Sequence, residues 1–176
     1  MAEAPKTVTM NRIPKIGVHP FMEYFKGFEK VVSVKQIFME KTIKVLGNLQ
    51  VEIFSKRTGY MGVSDEDGHI FVNAEYLRDG EERSIYLDVI HELVHVRQFM
   101  EGRPLFDHRY AYVDRPTEIE AYRHAVKEAR GIGATEKEIF EYLKTEWISM
   151  QDHERLAEHV GMKLRKGQPI ELDSGC

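Results

Sequence analysis

The chain has 176 residues, with 25 Lys and Arg against 29 Asp and Glu and a single Cys, at position 176. That length suits one domain with its own core, and a net charge of −4 with His neutral lacks the basic excess of a nucleic-acid or anionic-membrane partner. One Cys excludes an internal disulfide framework and a Cys-rich zinc module, and no stretch approaches the ~18 apolar residues of a membrane span.

The opening residues, MAEAPKTVTMNR, have no apolar run of signal-peptide length, so a cytoplasmic protein is expected. Pro5, Pro14 and Pro20, with little periodicity around them, predict an extended or loosely attached lead-in over residues 1–20. Phe21, Tyr24, Phe25 and Phe28 stand at near-helical spacing and read as core or lid packing rather than a binding box. Val34, Ile37, Phe38, Ile43 and Leu46 predict an amphipathic helix that stops at Gly47-Asn48. Alternation at Leu49, Val51 and Ile53 predicts a strand, Gly59–Val63 a second, and His69–Asn73 a third after the turn Asp65–Gly68. This block reads as a small, mostly antiparallel sheet.

Beyond Asp79-Gly80 the pattern is helical. Glu82 to Glu101 predicts a long helix ended by Gly102 and Pro104, and residues 103–116 are irregular. Pro116-Thr117 opens a helix that runs to about Arg130. Thr135 with Glu138 has the spacing of a capping box, and a last helix covers Ser149 to Val160. The last two helices could suggest a helix-turn-helix, but Glu136, Glu138, Glu141, Glu146, Asp152 and Glu154 suit a phosphate backbone poorly. Residues 164–176 form a polar tail. Strands followed by helices make an α+β fold, in one domain over residues 1–176.

Within the long helix stands His91-Glu92-Leu93-Val94-His95. Two His at i and i+4 lie on one helix face, so their imidazoles can converge on one ion. Glu92 projects beside that ion, where it can take a proton from a metal-bound water. The letters H-E-x-x-H are weak by themselves, and the context adds weight. Ile85, Leu87, Val89, Ile90, Leu93, Val94 and Val96 make the helix apolar nearly all round, while Ser84, Asp88, His91, Glu92, His95 and Gln98 run along it as a polar stripe. Buried ionisable groups need compensating partners, and a metal ion is one.

Zinc with an open position needs a third protein ligand. Glu101 stands where a third His of the extended motif would be, so the ligand must come from elsewhere. Glu118 shares the apolar face of the next helix with Ile119, Tyr122, Ala125 and Val126, whereas Glu120 shares the polar face and completes a capping box with Thr117. Glu118 is the expected ligand.

His91, Glu92 and His95, followed by Glu118-Ile119-Glu120-Ala121, resemble the gluzincin clan of zinc metallopeptidases, and in particular its minigluzincins. The resemblance covers about residues 34–130. It implies a zincin-like fold with a motif helix and a glutamate helix, Zn2+ as cofactor, and Glu118 as third ligand. It also implies a substrate-binding edge strand, a position that His69–Asn73 would fill. Many gluzincins have an Asp four residues after the Glu ligand, orienting a ligand His; here that position is Tyr122, and Asp88, one turn before His91, is the expected substitute. The implied reaction is hydrolysis of a peptide or protein substrate with Glu92 as general base. The oxyanion donor is expected among His108, Arg109, Tyr110 and Tyr112, or His124. Some minigluzincins are made as inactive precursors. The tail Gly167–Cys176, with Asp173, Cys176 and a terminal carboxylate, either stays solvated or occupies the open zinc position; the N-terminal lead-in is a second expected plug. The rival expectation is a zinc-binding, proteolytically silent regulatory or interaction protein.

Overall fold

A computed structural model describes residues 2–164, and the tail expected to reach the zinc position, Gly167–Cys176, lies outside them. The N-terminal segment is not a loose lead-in. Strand β1 (Thr9–Met10), strand β2 (Gly17–Pro20), the short helix α1 (Phe21–Tyr24) and strand β3 (Phe25–Lys26) follow one another, and β1 pairs antiparallel with β3. Arg12 anchors the segment by donating to the carbonyls of Leu77, Arg78 and Gly80. At Gly27, φ is 85°, and a Cβ there would lie 1.9 Å from the Thr7 carbonyl oxygen, so only glycine lets residues 7–8 close against this turn. Pro20 suits its site because β2 is an edge strand that it ends. Strands of two and four residues are too short to show periodicity in the sequence.

The helix expected over Val34–Leu46 is two helices, α2 (Val32–Phe38) and α3 (Thr42–Asn48). Met39 separates them with φ 53° and ψ −132°, and a 3-10 turn over Met39–Lys41 follows. The break rotates the second segment so that Thr42 and Leu46 are buried, while Ile43 is 76% exposed. The Thr42 hydroxyl donates to the Met39 carbonyl at 2.7 Å and ties the two segments together.

Strands β4 (Gln50–Phe54), β5 (Met61–Val63) and β6 (Ile70–Asn73) complete a four-stranded sheet, in the order β2-β4-β6-β5. The β2–β4 and β5–β6 pairs are antiparallel and β4–β6 is parallel. Val51 stands opposite Ile70 and Ile53 opposite Val72, all four buried on one face. The expected edge strand, residues 69–73, is therefore internal. The chain crosses over after β4, makes β5 outermost, and returns through a turn to lay β6 beside β4. The free edge on that side belongs to β5.

Asn73 caps α4 (Ala74–Asp79), accepting from Glu75 N, and its amide donates to the carbonyls of Lys56 and Gly59. Helix α5 (Glu82–Met100) packs against α2, β5 and α6 (Pro116–Gly131), which explains why it is apolar on nearly every side. Phe21, Phe25, Phe28 and Tyr86 form an aromatic core with ring centroids 5.2–6.0 Å apart. The Tyr86 hydroxyl donates to Glu128, which also accepts from Ser33, so α5, α6 and α2 meet at one carboxylate. Helix α7 (Glu136–Tyr142) begins with the capping box of Thr135 and Glu138, and α8 (Met150–His159) is capped by Ser149. The fold is α+β, a small and mostly antiparallel sheet with helices. Among the described residues no helix is long and apolar enough to cross a membrane.

Candidate metal site and its cleft

Helices α5 and α6 bring three donor atoms together. His91 Nε2 and His95 Nε2 are 3.0 Å apart, and Glu118 Oε2 lies 3.2 Å from the first and 3.3 Å from the second. All three residues are buried, at 5–6% exposure. Ligand atoms ~2.0–2.1 Å from one ion at tetrahedral angles would be ~3.3–3.4 Å apart. The observed spacings come close to that, and the group could hold a metal ion. Pro116 at the first helical position starts α6 so that Glu118 falls in its first turn, facing α5.

His95 is oriented by a residue the sequence offered only as part of the polar stripe. Its Nδ1 lies 2.7 Å from Gln98 Oε1. The Gln98 amide nitrogen donates to the Thr117 carbonyl at 3.0 Å and to Glu120 at 2.7 Å, which turns its oxygen toward His95. His95 Nδ1 is then the donor, and in the neutral ring the Nε2 lone pair faces His91 and Glu118. Glu120 does not close a capping box with Thr117. Arg115 is the N-cap, and Glu120 pairs with Arg97 and Arg103, two cations on its exposed side.

Asp88 does not orient His91. It accepts from the hydroxyls of Tyr76 at 2.5 Å and Tyr142 at 2.9 Å, and His91 Nδ1 has no partner among the described residues. The His91 ring is held instead by Tyr122, whose ring centroid is 4.3 Å away. The Tyr122 hydroxyl lies 2.9 Å from that of Tyr112. Burial first, then nearby carboxylates or tyrosines, hold Tyr112, Tyr122 and Tyr142 protonated.

Glu92 stands beside the triad and is not part of it. Burial pushes its carboxyl up to about 8, and Oε2 has no partner among the described residues. Burial likewise raises Asp88, to about 6. Burial opposes charge on Glu118, but the two imidazoles outweigh it and hold the carboxyl well below the usual range. Burial also opposes charge on His95; Glu118 and Glu92 outweigh it and raise the ring to about 9, while burial lowers His91. The three ligand candidates thus bring two imidazole nitrogens and one carboxylate oxygen together in a buried pocket, a donor set suited to a cation.

His91, Glu92, Asp88, Tyr112 and Tyr122 line a cleft of about 230 Å3, with Tyr60 and Met61 from the β5 edge and Trp147 from the segment after α7. None of residues 2–20 lines it, and β2 is at the opposite edge of the sheet, so the described N-terminal residues do not plug the site. His108 lies elsewhere, in a groove with Asp65, Phe99 and Phe106. Arg109 is exposed and paired with Asp107, Tyr110 is exposed, and His124 is outside the cleft lining. Of the expected oxyanion donors only Tyr112 faces the cleft. Comparison of the chain with protein-family models, with curated proteins and with solved structures finds no match.

Proposed function

We propose that the protein is a zinc-dependent endopeptidase of gluzincin type. The observation that carries this reading is the convergence of His91, His95 and Glu118 at 3.0–3.3 Å, with Glu92 beside them and a cleft in front. Two imidazoles and one carboxylate with an open fourth position are a catalytic zinc set. When bound, zinc supplies Lewis acidity toward a carbonyl oxygen and toward water. Glu92 takes a proton from the attacking water and delivers it to the leaving amine. A nearby cation favours its ionised form, against the effect of burial. Tyr112 and Tyr122 share one hydrogen bond between two hydroxyls, so one proton stays free to donate to the developing oxyanion. The free edge of β5 can accept an extended peptide as an added strand, with its scissile bond brought toward Glu92.

The test is Glu92→Gln. The variant should bind zinc at the stoichiometry of the wild type, while cleavage of a peptide library falls ~10^2- to 10^4-fold. Equal cleavage by the variant would overturn Glu92 as base. A wild type that binds zinc and cleaves no peptide would favour the silent regulatory reading.

A further inference from the structure

We propose that the cleft beside the metal site takes a basic side chain, Lys or Arg, of the peptide substrate. The word substrate rests on the peptidase reading; the binding does not.

The wall is a band of aromatic rings. Tyr76 and Tyr60 have centroids 4.7 Å apart, Tyr60 and Trp147 5.5 Å, and Trp147 and Tyr112 6.0 Å. Ring faces attract a guanidinium or ammonium group and pack against its methylene stem. The floor is Asp88, partly open to the cleft. Each of its oxygens accepts one tyrosine hydroxyl and keeps acceptor capacity to spare. Glu81 and Glu141 also line the cleft, against one cation, Lys144.

A second feature points the same way. Thr145 lines this cleft at 9% exposure, and its hydroxyl has no partner among the described residues. That hydroxyl can accept from an N–H donor. An apolar side chain filling the space would desolvate Asp88 and Thr145 with nothing in exchange. An acidic one would face Asp88, Glu81 and Glu141. A basic side chain satisfies the wall, the floor and the hydroxyl together.

Trp147 is the one tryptophan of the chain and stands in the cleft wall, so its fluorescence reports ligand entry without reference to turnover. The experiment titrates the full chain as zinc-loaded Glu92→Gln with alanine-based octapeptides blocked at both ends. A single central residue is Arg, Lys, norleucine or Glu, so the side chain is the sole charge. The Arg and Lys peptides should bind at least ~10-fold more tightly than norleucine, with the preference shrinking as salt rises, and the Glu peptide should be weakest. Asp88→Asn, which keeps an acceptor for a tyrosine hydroxyl, should cut the basic preference ~10-fold. Glu141→Gln, at an exposed position, should cut it by a smaller factor and covers the case in which Asp88→Asn does not fold. Norleucine binding as tightly as Arg, or a preference untouched by the folded variants, overturns the proposal. If the wild type cleaves peptides without basic preference and the titration shows none, the cleft assignment fails and the peptidase reading stands. If basic peptides bind with preference and none is cleaved, the reverse holds.

Discussion

His95 donates its Nδ1 proton to Gln98 at 2.7 Å, and Gln98 is itself held by the Thr117 carbonyl and Glu120. One amide thus sets the tautomer of a ligand candidate on α5 and locks it to the start of α6, where Glu118 stands. Gln98→Met, of similar length and apolar, removes the acceptor. Metal affinity should fall ~10- to 100-fold, the usual effect of losing a group that orients a ligand. Stability should fall by about 1–3 kcal/mol, because His95 and Thr117 lose buried partners. Chelator competition reads the first and thermal denaturation the second. An unchanged affinity would show that Gln98 only packs.

The two glutamates of α6 separate by their partners. Glu118 touches both imidazoles, whereas Glu120 reaches the site only through Gln98 and otherwise faces Arg97 and Arg103. Glu118→Ala should abolish stoichiometric zinc binding, as should His91→Ala. Glu120→Ala should keep one zinc per chain and weaken it no more than ~10-fold, by loosening Gln98. Metal analysis after dialysis decides between them, and retention by Glu118→Ala with loss in Glu120→Ala would reverse the assignment.

The helices that carry this site are legible in the sequence because long periodic segments say which residues share a face. The spacing of His91 and His95 and the apolar side of α6 are enough to select Glu118 over Glu120. The place of β6 is not legible, since Ile70 and Val72 alternate in the same way at an edge or inside a sheet. Tyr112 and His108 stand four residues apart in one aperiodic segment, and nothing local tells which faces the cleft. Tyr60, Tyr142 and Trp147 meet only through the tertiary fold. Gln98 did carry a signal, one turn beyond His95 on the same stripe, but a polar residue at that spacing does not announce its partner.

Met39 is an L-residue held at φ 53° and ψ −132°, a conformation glycine adopts far more readily. Such a position costs about 1–3 kcal/mol. Its side chain is 65% exposed, so little packing is lost on removing it. Met39→Gly should stabilise the protein by about 1 kcal/mol, after the extra entropy of glycine in the unfolded chain is offset. Denaturant unfolding would show a higher midpoint with an unchanged slope. A lower midpoint would mean that the Met39 side chain contributes more than the strain costs.

His69 joins the turn before β6 to β4, with Nδ1 2.5 Å from Asp67 and Nε2 3.0 Å from Glu52. Burial opposes its charge, but the two carboxylates outweigh burial and the folded-state value is raised. A raised imidazole stabilises the fold fully below its unfolded value of ~6.5, and loses that contribution as pH rises through the folded value. Asp67 is shifted the other way, lowered chiefly by its hydrogen bonds with His69. Its share is present above the unfolded Asp value of ~3.9 and is lost as pH falls through the depressed one. The contribution of this cluster is therefore greatest between those two unfolded values and declines on both sides. His69→Gln should abolish the alkaline decline and weaken the acid one, because the Asp67 shift depends on its bonds with His69. Thermal denaturation midpoints of wild type and variant should differ most near pH 5–6, within the window set by ~3.9 and ~6.5, and converge as pH rises above the folded value. A difference that is constant across that range would mean that His69 acts through packing and not through its charge.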